Sequence, residues 1–345
     1  MIELSENLAS LWSTARELEQ AMETSGLEAV EGRRFLLRML AASVDIFVEN
    51  NDVDRPTFEH AESPSRKMFA DCPDTDYLSA PIATGAGRVY RLSGRIPPGT
   101  LYVGVLLYGR GGRIGNRLTD RDLNLDADGR FELFISTEEQ SGTWLRADGD
   151  ETTLMVRQYF SNRATQAPID VSIEFMGEKR PPGPLDAKHL AKQVGAAERM
   201  LKAIFERTLF AHQMASSAGS NVIMQIPEDR LFPTPDNTYR VARFAMNGAR
   251  SLVLRGKLPV ARYFSVTLYN AWLESYDYQR HRISLNHDQI ECEADGSFSI
   301  TIASRQADGP NQLDTAGHDE GYVVIRALLL DGDMPPFELG PLVTP

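Results

Sequence analysis

The chain has 345 residues, 42% of them hydrophobic, with 36 basic against 48 acidic side chains and a formal net charge of -12. That length exceeds one ordinary core and suits two domains, and the acidic balance argues against nucleic acid or an anionic membrane surface, both of which need a basic face. Cys72 and Cys292 are the only cysteines, too few for a disulfide framework and without Cys-x-x-Cys spacing, so a reducing compartment is expected, with no metal and no cofactor.

The opening residues, Met1-Ile2-Glu3-Leu4-Ser5-Glu6, lack the basic start and apolar core of a signal peptide, and no apolar run approaches the roughly 20 residues of a membrane span. A soluble, cytoplasmic protein is expected. Between residues 4 and 22, Leu4, Leu8, Leu11, Trp12, Ala15, Leu18 and Met22 recur three or four apart, which predicts one stripe of an amphipathic helix. After Ser25-Gly26, residues 28 to 49 carry a broader apolar face that a sheet or a homodimer contact would bury. Residues 1 to 50 therefore read as N-terminal helices. A polar, proline-punctuated stretch from Asn50 to Pro64 leads into a first module at 65 to 180.

Within that module, strands are predicted at 88 to 92, 101 to 108, 122 to 125, 130 to 136, 152 to 159 and 169 to 176, with no helical period between them. Pro181-Pro182-Gly183-Pro184 ends the module, and apolar residues at helical spacing predict a linking helix over 185 to 217. A second module follows at 222 to 345, with strands at 251 to 255, 262 to 269, 281 to 285, 297 to 303 and 322 to 330, and Met334-Pro335-Pro336-Phe337 leads into a terminal loop.

The two modules repeat each other. Ala127-Asp128-Gly129-Arg130-Phe131 is matched by Ala294-Asp295-Gly296-Ser297-Phe298, in each case a turn opening into a strand. Pro73-Asp74-Thr75-Asp76-Tyr77 is matched by Pro235-Asp236-Asn237-Thr238-Tyr239, Gly94-Arg95-Ile96-Pro97 by Gly256-Lys257-Leu258-Pro259, and Val156-Arg157 by Ile325-Arg326, all in the same order. Short strands separated by Gly, Pro and Asp turns, without crossover helices, predict a mainly β protein with α elements: two tandem antiparallel β-sandwich or jelly-roll-like modules.

The run Tyr263-Phe264-Ser265-Val266-Thr267-Leu268-Tyr269, followed by Arg280-His281-Arg282-Ile283-Ser284 and by Ala294-Asp295-Gly296-Ser297-Phe298, resembles the bacterial family known as domain of unknown function 1214. The first copy resembles it through Asp126-Ala127-Asp128-Gly129 and Trp144-Leu145. The similarity spans most of residues 70 to 340 and implies β sandwiches but no established reaction. Where the family usually carries Trp-Leu-Pro ahead of the last strand, the second copy reads Gln312-Leu313-Asp314.

The repeat supplies an internal control: polar features kept in both copies belong most simply to the fold, and those of one copy alone are candidates for function. By that measure Asp74 and Asp236 read as turn or capping residues. Arg157 and Arg326 lie inside apolar strands and each needs a carboxylate partner, with Asp74 and Asp236 as candidates for structural ion pairs. The strand at 262 to 269 puts Tyr263, Ser265, Thr267 and Tyr269 on one face, where the first copy has Tyr102, Gly104, Leu106 and Tyr108. That hydroxyl face is expected either to be solvated or to line a pocket. Downstream, Trp272, Tyr276, Tyr278, Arg280, His281 and His287 crowd together, suiting an apolar ligand that bears an oxygen or a negative charge. Gly109 to Arg117 fails the dinucleotide fingerprint at Ile114 and reads as a basic hairpin, and no nucleophile elbow exists.

Two functions are consistent with these residues. One is a metal-independent enzyme acting on a small, partly apolar metabolite by acid–base chemistry, as an isomerase, cyclase or hydrolase in a sandwich cavity. There His281 would be the acid or base, Arg280 the anion clamp, and Tyr263, Tyr269, Trp272, Tyr276 and Tyr278 the substrate wall. The alternative is a non-catalytic module that binds a carbohydrate or lipid-like ligand with the same aromatic residues. A homodimer through the N-terminal helices is compatible with either.

Overall fold

The computed structural model describes residues 2–85, 87–179, 181, 183–226, 234–304 and 309–341. Two helices come first, α1 (Ile2–Thr24) and α2 (Ala29–Val44). Gly26, at φ +75°, makes the turn between them. The Glu28 carboxylate accepts the Val30 and Glu31 N–H groups and so caps α2. A single π turn, Asp45–Glu49, ends the helical region. Among the described residues, no helix is long and apolar enough to cross a membrane.

The chain folds as two compact units. The first comprises Met1–Glu17, Leu37–Arg66 and Asp74–Lys202; the second comprises Leu18–Leu36, Lys67–Pro73 and Ala203–Pro345. Both N-terminal helices, and the long helix α3 (Ala187–Ala218), contribute part of their length to each unit.

The strands of the first unit are β1 (Glu59–His60), β2 (Thr75–Pro81), β3 (Tyr90–Arg95), β4 (Tyr102–Gly109), β5 (Ile114–Thr119), β6 (Arg130–Ser136), β7 (Trp144–Arg146), β8 (Glu151–Tyr159) and β9 (Asp170–Phe175). They form two sheets, ordered β1-β2-β8-β4-β5 and β7-β6-β3-β9, antiparallel except for the β6/β7 pair. Val103, Val105, Leu154 and Val156 from one sheet meet Leu92, Leu133 and Ile135 from the other in a single apolar core.

In the second unit the strands are β10 (Met224–Gln225), β11 (Asn237–Ala245), β12 (Ser251–Lys257), β13 (Tyr263–Tyr269), β14 (Ser284–Asn286), β15 (Ser297–Ala303), β16 (Gln312–Asp314), β17 (Glu320–Leu328) and β18 (Glu338–Pro341). The sheet orders are β10-β11-β17-β13-β14 and β16-β15-β12-β18, which reproduces the first unit strand for strand, including one parallel pair at β15/β16. Phe264, Val266, Leu268 and Ile325 pack against Leu254, Ile300 and Ile302. The shared Asp-Gly turns open β6 and β15, with Gly129 at φ +77° and Gly296 at φ +82°. A Cβ on Gly129 would fall 2.5 Å from the Ile96 carbonyl, so the turn admits no larger residue.

Three departures from the strands expected from periodicity each have their own reason. β11, nine residues long, sends Phe244 into the sandwich core while Tyr239 and Val241 pack on the opposite face, so both faces are buried and no amphipathic signal survives. Residues 122 to 125, expected as a strand, instead form a turn fixed by the Asp122 carboxylate on the Thr119 N–H and hydroxyl, with Leu123 plugged into the core. The expected terminal loop contains the short strand β18, which pairs with β12 at the edge of the sheet and therefore tolerates Pro341.

Candidate functional site

The two faces of β13 separate as the alternation requires, but the hydroxyl face is not solvated. Tyr263, Ser265, Thr267 and Tyr269 are each at most 1% exposed. The second half of α3 covers this sheet through small residues, Ala211 and Ala215, which let the helix lie close to Tyr239, Tyr322 and Val324. The Tyr269 hydroxyl donates to the Asp71 carbonyl at 2.7 Å, and Tyr263 lies 3.4 Å from the Cys72 thiol. Burial pushes the Tyr269 phenol far above its ordinary range, so it serves as a neutral donor. Arg326, directly opposite both Tyr239 and Ser265, donates to the Ala70 carbonyl at 2.8 Å and lies within electrostatic reach of Asp71. In the first unit Arg157 holds the same register, opposite Tyr77 and Gly104. Asp74 and Asp236 precede the matched tyrosines by three residues, and their carbonyls accept the Phe160 and Leu329 N–H groups at 2.8 Å, an arrangement common to both copies.

The loop after β13 is built on Asn270. Its side-chain oxygen accepts the Trp272 and Glu274 N–H groups, and its amide donates to the Glu274 carboxylate at 3.1 Å. This turn drives Trp272 inward, where it stacks on Phe35 at 5.4 Å and Phe205 at 6.0 Å and donates its indole N–H to the Glu28 carbonyl. Lys67 is 4% exposed; its ammonium donates to the Ser275 and Tyr276 carbonyls and sits 4.8 Å from the Tyr278 ring. Asp71 accepts from the Ser275 N–H and hydroxyl. Tyr263, Tyr269, Trp272 and Tyr276 are thus enclosed by protein, whereas Tyr278 and His281 are partly exposed and Arg280 is 76% exposed.

His281 and Asp314 come together here. The imidazole Nδ1 lies 2.8 Å from the Asp314 Oδ2. Asp314 is 5% exposed and the His281 side chain 37%. The Asp314 N–H donates to the Arg282 carbonyl, zipping the two loops together, and the other carboxylate oxygen accepts the Ala316 N–H. Arg280 is held by Asp277 at 2.6 Å. The β15/β16 and β6/β7 registers equate position 314 with Arg146, so the first copy has no carboxylate there. The dyad therefore exists in the second copy alone. Asp314 escaped the sequence reading as a site residue, although its place in Gln312-Leu313-Asp314, against Trp144-Leu145-Arg146 in the first copy, was the available signal.

A second histidine–carboxylate pair went unread in the sequence because one member lies on α2. His318 Nε2 is 3.2 Å from Glu31 Oε1, and the His318 ring stacks on Tyr276 at 4.4 Å. Arg34 lies 3.3 Å from Glu31 and 3.9 Å from Glu274. The Glu31 hydrogen bond raises the pKa of His318 against the effect of burial. Burial pushes Glu31 upward, but His318 and Arg34 outweigh it and hold the carboxyl below its usual range. The sign follows from linkage: the raised histidine stabilises the fold fully below its unfolded pKa and ceases to do so as pH rises through its folded value. The lowered carboxyl stabilises above its unfolded pKa and ceases to do so as pH falls through its folded value. Glu31→Gln should therefore lower stability by about 1 kcal/mol between about pH 5 and pH 6 and by clearly less at about pH 8.5, in denaturant titrations run at each pH. An equal loss at both pH values would refute the pairing.

In the first unit the glycine-rich hairpin is closed by its own charges. Arg113 makes ion pairs with Asp148, Asp150 and Glu151, which spends the guanidinium internally.

Residues 236–329 match the model of a family described as a protein of unknown function (DUF1214). Among solved structures, the chain is similar to an uncharacterised protein from Burkholderia cenocepacia, at 25% identity with 99% of each chain covered and a TM-score of 0.90. It is also similar to a protein from Vibrio parahaemolyticus, at 13% identity, with 89% of this chain and 98% of that one covered and a TM-score of 0.51, a likeness of fold alone. No curated protein matches the sequence.

Proposed function

We propose that the protein is an acid–base catalyst for a small, partly apolar metabolite, working as an isomerase, cyclase or hydrolase on the β13–β14 and β16–β17 loops of the second unit. The observation that carries this reading is the hydrogen bond between His281 Nδ1 and the buried Asp314 carboxylate. A carboxylate on Nδ1 fixes the tautomer and orientation of the ring and stabilises the imidazolium formed when Nε2 takes a proton. His281 Nε2 makes no hydrogen bond among the described residues, which leaves it available to a substrate. Arg280, well exposed one residue away, supplies the clamp for a substrate carboxylate or developing oxyanion, and the partly exposed Tyr278 the apolar contact. The buried Tyr263, Tyr269, Trp272 and Tyr276 act behind this surface by holding its loops in place.

A carbohydrate- or lipid-binding module would present its aromatic wall to solvent, and most of the candidate rings here are enclosed. Leu8 and Trp12, one turn apart on α1 and 38% and 53% exposed, offer an apolar stripe for a homodimer of a cytoplasmic protein. Sedimentation of wild type and Trp12→Glu at equal mass for both would discard that contact.

Turnover is tested with a panel of small esters, lactones and enolisable ketones. His281→Ala should lower the rate on any accepted substrate about a hundredfold or more, and Asp314→Asn about tenfold or more, with substrate binding changed only about twofold. Wild-type turnover by His281→Ala would overturn the assignment.

A further inference from the structure

The outward face of the four-stranded sheet in the second unit carries a cleft of about 410 Å³ whose lining includes neither His281 nor Asp314, but Arg255, Glu291, Cys292, Glu293, Ser299 and Asn311 among others. Asn311 makes one wall rigid: its side chain accepts from the Glu291 N–H at 2.9 Å and donates to the Glu291 carbonyl at 2.7 Å. The Arg255 guanidinium and the Glu291 and Glu293 carboxylates make no ion pair among the described residues. Even Glu338, directly opposite Arg255 across the β12/β18 ladder, does not pair with it.

The first unit shows what this face looks like when it serves only the fold. There Arg91 pairs with Glu174 at 2.7 Å and Glu132 at 3.5 Å, and Ser93 bonds Ser172 at 3.1 Å, so the surface neutralises itself. The ladders place Gly94 opposite Phe131 and Gly256 opposite Phe298, which equates Arg91 with Val253, Ser93 with Arg255 and Glu132 with Ser299. The second copy has thus moved its cation one pleat along the face, with Ser299 opposite it on β15 in place of Glu132 and Glu338 opposite it on β18 in place of Ser172. Cross-strand charges of opposite sign normally stabilise a sheet, yet Arg255 and Glu338 face each other without forming an ion pair, and the surface keeps charges of both signs unanswered among the described residues.

We propose that this cleft binds a small zwitterion of the amino-acid class, its carboxylate on Arg255 and its ammonium between Glu291 and Glu293. A simple anion would meet two carboxylates, and a simple cation would leave the guanidinium unanswered; only a molecule with both charges satisfies both ends. Ser299 and the exposed Cys292 border the bound molecule and contribute polar contacts.

Cys292 reports occupancy, because it lines the cleft while Cys72 is buried. Alkylation of Cys292 by iodoacetamide is followed by mass spectrometry with glycine, 4-aminobutyrate or 6-aminohexanoate present, and with hexylamine and hexanoate as single-charge controls. A dissociation constant of about 1 mM gives about tenfold protection at about 10 mM of the best-fitting amino acid. Arg255→Ala and Glu293→Gln, both exposed substitutions that the fold should accept, should each abolish that protection. The proposal is overturned if none of the amino acids protects, if hexylamine protects equally and marks a plain cation site, or if protection survives both substitutions.

Discussion

Trp272→Ala should lower the free energy of unfolding by about 3–5 kcal/mol, the usual cost of emptying a large, fully packed aromatic site. Trp272 is 1% exposed and sandwiched by Phe35 and Phe205, and its indole N–H donates to the Glu28 carbonyl at 2.8 Å, so truncation leaves a cavity and removes one of the two hydrogen bonds that carbonyl accepts, the other coming from the Gly32 N–H. Gly32 tests the same packing from the opposite side. It lies inside α2, where replacing glycine with alanine ordinarily gains about 1 kcal/mol. Here a Cβ would stand 2.6 Å from the Trp272 ring, so Gly32→Ala should instead cost about 1–3 kcal/mol. Urea titrations of both variants measure these effects, and a stabilised Gly32→Ala would show that the helix does not rest on the indole.

In the first unit, Glu151→Ala should cost about 3 kcal/mol, since bonds to a charged acceptor are the stronger ones. Glu151 is 1% exposed, and its carboxylate accepts from the Thr84 hydroxyl, the Asp148 N–H at 2.9 Å and the Gly149 N–H at 3.0 Å. Burial raises its pKa, but these donors prevail and hold the carboxyl below its ordinary value. A lowered folded pKa stabilises above the unfolded value, and that contribution disappears as pH falls through the folded value. The deficit of Glu151→Ala relative to wild type should therefore be full near neutrality and shrink on the acid side of about pH 4. Glu151→Gln, which keeps one acceptor oxygen, should fall between the two. A deficit independent of pH would mean that the carboxylate charge contributes nothing to the turn.

The contrast between the copies explains which parts of the site were readable. Tyr269 and Tyr263 could be assigned to one strand face from alternation alone, yet nothing in their neighbourhood announces that α3 lies over that face, because the covering residues Ala211 and Ala215 are about fifty positions upstream. His281 stood out as an imidazole beside a guanidinium. Its partner Asp314 lies thirty-three positions further on and was visible only as an oddity of composition. Glu31 could not be connected to His318 at all, since 287 residues separate them.

The sequence by itself determined the duplication, the turns and the strand alternation of both modules, because Asp-Gly turns and two-residue periodicity act over a few bonds. Identical strand orders in the two units follow from that shared local code. Only the tertiary structure decided which strand faces meet solvent, which carboxylate each histidine holds, and where charges stand unanswered. Those outcomes depend on contacts between residues far apart along the chain, whose free energies are settled by packing and desolvation after the local elements have formed.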